Sequence, residues 1–415
     1  MSDTQPLELD PGATDIQGEL GRIRSLGPIA RVVLPGGVPA WSVTDLELLR
    51  SLLTDPRVSK DALLHWPRLQ AGEIGPDWVM YPWVAATNML TTYGADHQRL
   101  RKLVAPAFTN KRTRALRPRI EAIVAELLAG LAAAPADDIV DLRADFADRL
   151  PIRVIGELMG VPADIEAQLG VHADGILDTS LPPTEVGAHF GALFVLMDQL
   201  LQHKRDHPAD DLTTVLMNTH EDDGSQLSQE ELRDTLLLII TAGHETTANL
   251  LDHSITGLLT HPEQRKAAIA GDVSWPEVAE EALRWNAPLA HMPLRFAVED
   301  IEIAGDGEFP GVRIARGDVL IASLAGAGRD PKLHGSTASA FDAVRPGKDH
   351  VAFGYGVHHC LGAPLARLEA SLALPALFAR FPDMELAVAP AELRPIPSIV
   401  TNGHRELPVR RRPRP

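Results

Sequence analysis

The sequence predicts a mainly α-helical fold of the α+β class with small antiparallel β-sheets attached, and three observations lead there. Apolar residues recur at three- and four-residue spacing through most of the chain, as in "TRALRPRIEAIVAELLAGLAA", "VGAHFGALFVLMDQLLQHKR" and "ARLEASLALPALFARF", the periodicity of one helix face. Strand signals are few and cluster in "IARVVLPGGVPAWSV", in "LRFAVEDIEIAGDGEFPGVRIARGDVLIASL" and around "RELPVRR". No repeat of solenoid period and no low-complexity linker divides the chain, so residues 1–415 read as a single domain.

Bulk properties narrow the setting. A chain of 415 residues with 45% apolar content can bury a large core. Its one cysteine, Cys360, cannot form an intrachain disulfide, and "MSDTQPLELDPGATDIQGEL" has neither a basic nor an apolar leader region. A reducing, cytoplasmic location is expected. Apolar runs such as "LLLII", Leu236 to Ile240, fall far short of the roughly 20 residues a spanning helix needs, so membrane insertion is not expected. The net charge of -17 disfavours nucleic acid as a partner.

The longest helical pattern opens at Ser228, where "SQEE" sets Glu231 as the far half of a capping box, and runs to His261 before Pro262. At 1.5 Å per residue it spans roughly 50 Å, enough to cross the domain. Halfway along lies "AGHETT", Ala242 to Thr247. Gly243 costs about 1 kcal/mol against alanine inside a helix. One reading is a small residue where two helices cross closely. The other is a gap in the helix wall beside a bound molecule, with an acid and a hydroxyl aimed into it.

Cys360 stands in "FGYGVHHCLG", between glycines and ahead of a helical pattern. Inert packing is the commonest state of a free cysteine. Zinc is disfavoured because His358, His359 and Cys360 are consecutive and no second cysteine exists. A Cys/His nucleophile remains open on composition. The fourth reading is a thiolate ligand to a large flat metal cofactor. Gly354, Gly356 and Gly362 would let the backbone approach a planar ring and turn sharply. Pro364 suits a first helical turn, and a helix N-terminus lowers a thiol pKa.

The stretch "FGYGVHHCLGAPLAR" resembles the haem-binding signature Phe-Gly-x-Gly-x-His-x-Cys-x-Gly of the cytochrome P-450 haem-thiolate monooxygenases, matching every fixed position. The resemblance, which extends from about Pro35 to the tail, implies the cytochrome P-450 fold, with haem b (iron protoporphyrin IX) between the long central helix and the cysteine-loop helix and Cys360 as its iron ligand. "EALR" and "FDAVR" supply Glu281, Arg284 and Arg345 for the family's structural Glu-Arg-Arg cluster. His97 and Arg101 in "HQRLR", with Arg295 and His358, fill its propionate-binding positions. "AGHETT" resembles its oxygen-activation motif, giving roles to Ala242, Gly243, Glu245 and Thr246. There Gly243 would leave room for dioxygen, and Glu245 would link a water network at Thr246 to solvent. His244 and His359 occupy variable positions. "AGAGRDPKLHGST" departs from the family's Asn-Arg-Asp-Pro by placing Gly328 at the Asn position, and a modest local change is expected.

The function so implied is insertion of one atom of O2 into a small, apolar organic substrate of polyketide or macrolide, steroid or terpenoid type. Electrons would come from NAD(P)H through a ferredoxin reductase and a ferredoxin. Alternatives are a haem-thiolate peroxygenase and a non-catalytic haem sensor or electron carrier. By position the substrate contacts are expected at Met89, Leu90, Leu177, Leu238, Ala242, Leu289, His291, Met292, Val400 and Thr401. Trp66, Trp78 and Trp83 crowd the early loop, where packing explains them as readily. The run from His97 to Arg119 holds eight Lys and Arg and no acid. Arg99, Lys102, Lys111, Arg112 and Arg114 are therefore candidates to dock an acidic ferredoxin.

Overall fold

In the structure, a computed structural model describing residues 6–135, 138–220, 224 and 226–411, the capping box forms as the sequence dictates. The Glu231 N–H donates to Ser228 Oγ at 3.1 Å, and the Ser228 N–H donates to Glu231 Oε2 at 2.9 Å. From this cap a single helix runs Gln229–Thr260, with most residues between Leu232 and Leu258 buried and Ala242 left open. Helices Arg149–Met159, Pro183–Asp206, Trp275–Trp285 and Ala363–Arg380 pack around it. Among the described residues no helix is long and apolar enough to cross a membrane.

The sheets depart from the expected all-antiparallel pattern. The largest is mixed, in the order 7–8, 29–34, 38–43, 319–322, 292–297, 58–59. Strand 7–8 lies parallel to 29–34, and 38–43 lies parallel to 319–322. Parallel neighbours need a crossover of a dozen or more residues. Helix Ile16–Ser25 provides the first crossover and the whole helical block the second. Residue alternation defines a strand face but not its partner's direction. The smaller sheets, 385–386 with 408–410 and 139–141, and 301–303 with 312–314, are antiparallel.

The ion cluster ties the helices to the loop that leads to Cys360. Arg284 Nε and Nη2 donate to the two carboxylate oxygens of Glu281 at 2.7 Å each, and Arg345 Nε lies 3.6 Å from the same acid. The remaining Arg284 donors reach the carbonyls of Gly328 at 2.9 Å and of Ala338 and Ala340 at 2.8 Å. A Cβ at residue 328 would lie 2.1 Å from the Arg284 carbonyl oxygen. On this backbone the position admits only glycine.

Glu369, in helix Ala363–Arg380, is 2% exposed, and its Oε2 has no hydrogen-bond partner. Burial pushes its carboxyl up to about 8 from the ordinary 4.5. The folded protein therefore holds a proton that the unfolded chain releases. The stability this gives is full below about pH 4.5 and is lost as pH rises towards 8. Glu369→Gln is expected to raise the thermal midpoint by more at pH 9 than at pH 5, a difference on the order of a few kcal/mol, read from melting curves at the two pH values.

Candidate active site

The loop before helix Ala363–Arg380 turns through Gly354 (φ 70°) and Gly356 (φ 72°), a left-handed backbone that a Cβ would strain. The Cys360 N–H closes the loop on the Phe353 carbonyl at 2.9 Å. Gly362 does not need its expected freedom: its φ is -79°, and a Cβ there would make an ordinary 3.7 Å contact with Cys360 Sγ. The sulfur accepts from the N–H groups of Gly362 and Ala363. Burial nevertheless raises the thiol pKa above its ordinary value, outweighing those amides, Arg101 and Arg367. This reverses the lowering expected at a helix N-terminus, because desolvation penalises an anion that no cation touches directly. Residue 360 remains open to solvent-sized space while surrounding protein desolvates its sulfur, the situation of a group on the wall of an internal concavity.

Cations gather beside this loop. His97 is buried in helix Gly94–Val104 with its ring 4.1 Å from that of His358, and its Nε2 has no hydrogen-bond partner. Arg101, one turn on, donates to the His359 carbonyl at 2.6 Å. Arg295 comes from strand Met292–Ala297; its Nη1 is unpartnered, and burial pushes its pKa down to about 10. Lys60, which the sequence did not single out, is 6% exposed and donates from Nζ to the Pro293 carbonyl at 2.6 Å. Burial, then Arg295, holds its pKa well below the usual range. Burial, followed by Arg295, Lys60, His97 and Arg101, pushes His358 down to about 2. Among the described residues no carboxylate compensates Lys60 or Arg295. Such a group of buried cations calls for an anion. An amide-capped thiol beside it matches the iron ligand and the propionate partners of a haem, so the residues present fit that cofactor. No local pattern marks Lys60: it reads as solvated until strand 58–59 pairs with 292–297.

On the central helix, Ala242 and Thr246 line an apolar cavity with Leu90, Leu177, Leu238, Leu289 and Met292, as expected, and with Ile176, Phe190 and Leu237, which were not. Thr246 Oγ1 donates to the Ala242 carbonyl at 2.6 Å. The other expected contacts lie off this wall. His291 is buried with Nδ1 2.9 Å from Ser323 Oγ. Val400 is core, Met89 packs on the helices around Leu100, and Thr401 Oγ1 donates to Glu245 at 3.3 Å. Trp66 and Trp78 pack edge-on at 5.5 Å, while Trp83 joins the wall. At Gly243 the missing side chain points at a neighbouring helix. A Cβ there would sit 2.3 Å from Ile155 Cδ1, so the glycine serves close crossing by helix Arg149–Met159.

Glu245 does not reach solvent. Arg143, from a π-helical turn at Arg143–Ala147, meets it at 2.8 Å and also holds Asp148 at 2.7 Å and Asp252 at 3.6 Å. Burial raises the Glu245 pKa, but Arg143, His244 and Thr401 together outweigh it, so the carboxyl titrates below its ordinary value. The neighbouring Asp148 moves the other way, burial holding it up to about 7. His244 is buried with Nδ1 3.9 Å from Asp174 Oδ1. In sequence Arg143 is one charged residue among many in "DLRADFADRL", and only the fold converts it into Glu245's partner.

A family model described as Cytochrome P450 matches residues 189–270 and 276–393. The 2-hydroxy-5-methyl-1-naphthoate 7-hydroxylase of Streptomyces carzinostaticus is 45% identical over 404 residues, 97% of each chain. The vitamin D(3) 25-hydroxylase of Pseudonocardia autotrophica is 37% identical over 392 residues, 94% of this chain and 93% of that one. The solved structure of CYP154A1 from Streptomyces coelicolor A3(2) matches with a TM-score of 0.92 and 48% identity, covering 98% of this chain and 100% of that one.

Lys60→Met is expected to stabilise the apoprotein, because one of two adjacent buried cations is removed. In the haem-loaded protein it should speed haem transfer to apomyoglobin, on the order of ten-fold for one lost charge-assisted contact. Melting of the apo form and the rate of haem transfer check the two signs.

Proposed function

Because the chain belongs to the cytochrome P450 family and is a monooxygenase of that class, we propose that it works as a single cytoplasmic domain carrying haem b. It would insert one atom of dioxygen into an apolar substrate of polyketide, steroid or terpenoid type, with electrons from NAD(P)H through a ferredoxin reductase and a ferredoxin. The observation that carries this reading is the arrangement of one amide-capped thiol beside uncompensated buried cations, together with a hydroxyl on the wall of an apolar cavity. Relatives named for a naphthoate and for vitamin D(3) support the substrate class.

A bound haem-thiolate group supplies the redox chemistry that activates dioxygen, and the chain does the rest. Cys360 would hold the iron, and His97, Arg101, Arg295, His358 and Lys60 the propionates. Leu90, Leu177, Leu238, Leu289 and Met292 exclude water and orient the substrate. Thr246 Oγ1 can leave the Ala242 carbonyl to hold a proton and ordered water towards the cavity. Glu245, fixed by Arg143, stays ionised, while Asp148 keeps a proton near neutral pH. The acid cluster, rather than direct solvent contact by Glu245, would then replenish Thr246.

The docking expectation keeps Lys102, which is exposed, with Lys111, Arg112 and Arg114. The last three are exposed on helix Asn110–Ala115, which packs against the cysteine helix. Arg99 pairs with Glu231, Arg117 with Glu121 and Arg119 with Glu157.

Oxygen uptake coupled to NAD(P)H with surrogate redox partners, and product formation from a polyketide and steroid panel, test the reading. Turnover with peroxide alone would replace it with a peroxygenase. Cys360→Ser is expected to abolish the thiolate-type carbon monoxide difference spectrum. Thr246→Ala should keep consuming oxygen while diverting most NAD(P)H to free hydrogen peroxide, measured as product formed per NAD(P)H. Arg112→Glu should slow ferredoxin-supported reduction several-fold at low salt, with little effect at high salt, and leave substrate-induced spectral shifts unchanged.

A further inference from the structure

A second cavity, of about 320 Å³, adjoins the apolar one and shares Pro82, Ala86 and Phe190 with it. Its walls are aromatic, from Trp78, Tyr81, Phe190 and Phe194, and its charged groups, Glu230, Arg233 and Asp234, come from the first turns of the central helix. Asp234 is 4% exposed; its Oδ2 accepts the Thr87 N–H at 2.9 Å, while Oδ1 has no hydrogen-bond partner. Arg233 forms a loose ion pair with that oxygen, its Nε 3.6 Å away and beyond hydrogen-bond range. Its guanidinium lies instead over the Phe194 ring, 4.2 Å from the centroid. The helix dipole favours acids at these positions, but it does not explain a buried carboxylate oxygen left unsatisfied.

We propose that this cavity is an outer subsite for a cationic ammonium group, carried by a substrate whose apolar body occupies the inner cavity. Two carboxylates against one guanidinium leave the wall with a net charge of -1, so a cation gains where an anion is repelled. The orphaned Asp234 oxygen supplies the counter-charge, and the aromatic faces supply cation–π attraction. The volume lies within the range of small-ligand sites. This inference rests on the inner cavity being the substrate site, and it narrows the substrate class to apolar skeletons bearing a basic nitrogen.

The test titrates the haem-loaded protein by calorimetry with benzyltrimethylammonium, with neopentylbenzene as its uncharged isostere, and with benzylsulfonate. A quaternary nitrogen has no lone pair, so it cannot register by binding iron. The expected result is at least ten-fold tighter binding of the cation than of the isostere. Asp234→Asn should abolish the preference while keeping the Thr87 contact, and Glu230→Gln should reduce it less. Unchanged circular dichroism and carbon monoxide spectra establish that the variants are folded. Equal affinity for cation and isostere, a preference that survives Asp234→Asn, or tightest binding of benzylsulfonate at Arg233 would each overturn the proposal. The binding readout is independent of turnover. A cation preference without NAD(P)H-driven oxygenation would remove only the catalytic reading; oxygenation of neutral substrates without that preference would remove only the subsite.

Discussion

A buried guanidinium has five N–H donors to satisfy, and around Arg284 that requirement organises the haem-side half of the molecule. All five are used: two on Glu281 and one each on the carbonyls of Gly328, Ala338 and Ala340. Helix Trp275–Trp285 is thereby fixed to two separate stretches of the chain that precedes the cysteine loop. Removing the Glu281 carboxylate would leave the Arg284 charge without its closest counter-ion in the core, costing about 3–5 kcal/mol. The loop holding Cys360 inherits its position from this polar lock as much as from apolar packing.

Charge is treated in two ways in this protein. Arg284 and Arg143 are saturated by acids and carbonyls of the chain itself, and such groups fix geometry. Lys60, Arg295 and His97 are equally buried but have no compensating acid among the described residues, and such groups wait for a ligand. The same contrast holds among the acids, where Glu245 accepts a hydrogen-bonded ion pair and Asp234 Oδ1 has only a loose ion pair and no hydrogen bond.

The residues legible in the sequence are those whose neighbours along the chain reveal them. Ser228 with Glu231, Glu281 with Arg284, His97 with Arg101 and the glycines around Cys360 all sit within one or two helical turns of their partners, so spacing carries the signal. Lys60, Arg143 and the Ile155 contact of Gly243 depend on elements far apart in the chain, and no local pattern encodes them. Desolvation is likewise a property of the whole fold, which is why the Cys360 thiol rises when its helix position alone predicts a fall. Strand direction failed for the same reason, since alternation is identical in parallel and antiparallel neighbours. Among the expected substrate positions, Leu177 and Leu238 face the cavity while His291 and Val400 turn into the core.

The parallel pairing of strand Val38–Val43 with Val319–Ala322 has a consequence for how the chain is made. The first strand leaves the ribosome long before its neighbour exists, and at ordinary elongation rates the gap is on the order of tens of seconds. Throughout that interval the hairpin 29–43 presents an unpaired apolar edge, while the helices between can form from local contacts. This sheet cannot close until residues 319–322 have been made, and until then its early edge is open to aggregation and to a chaperone.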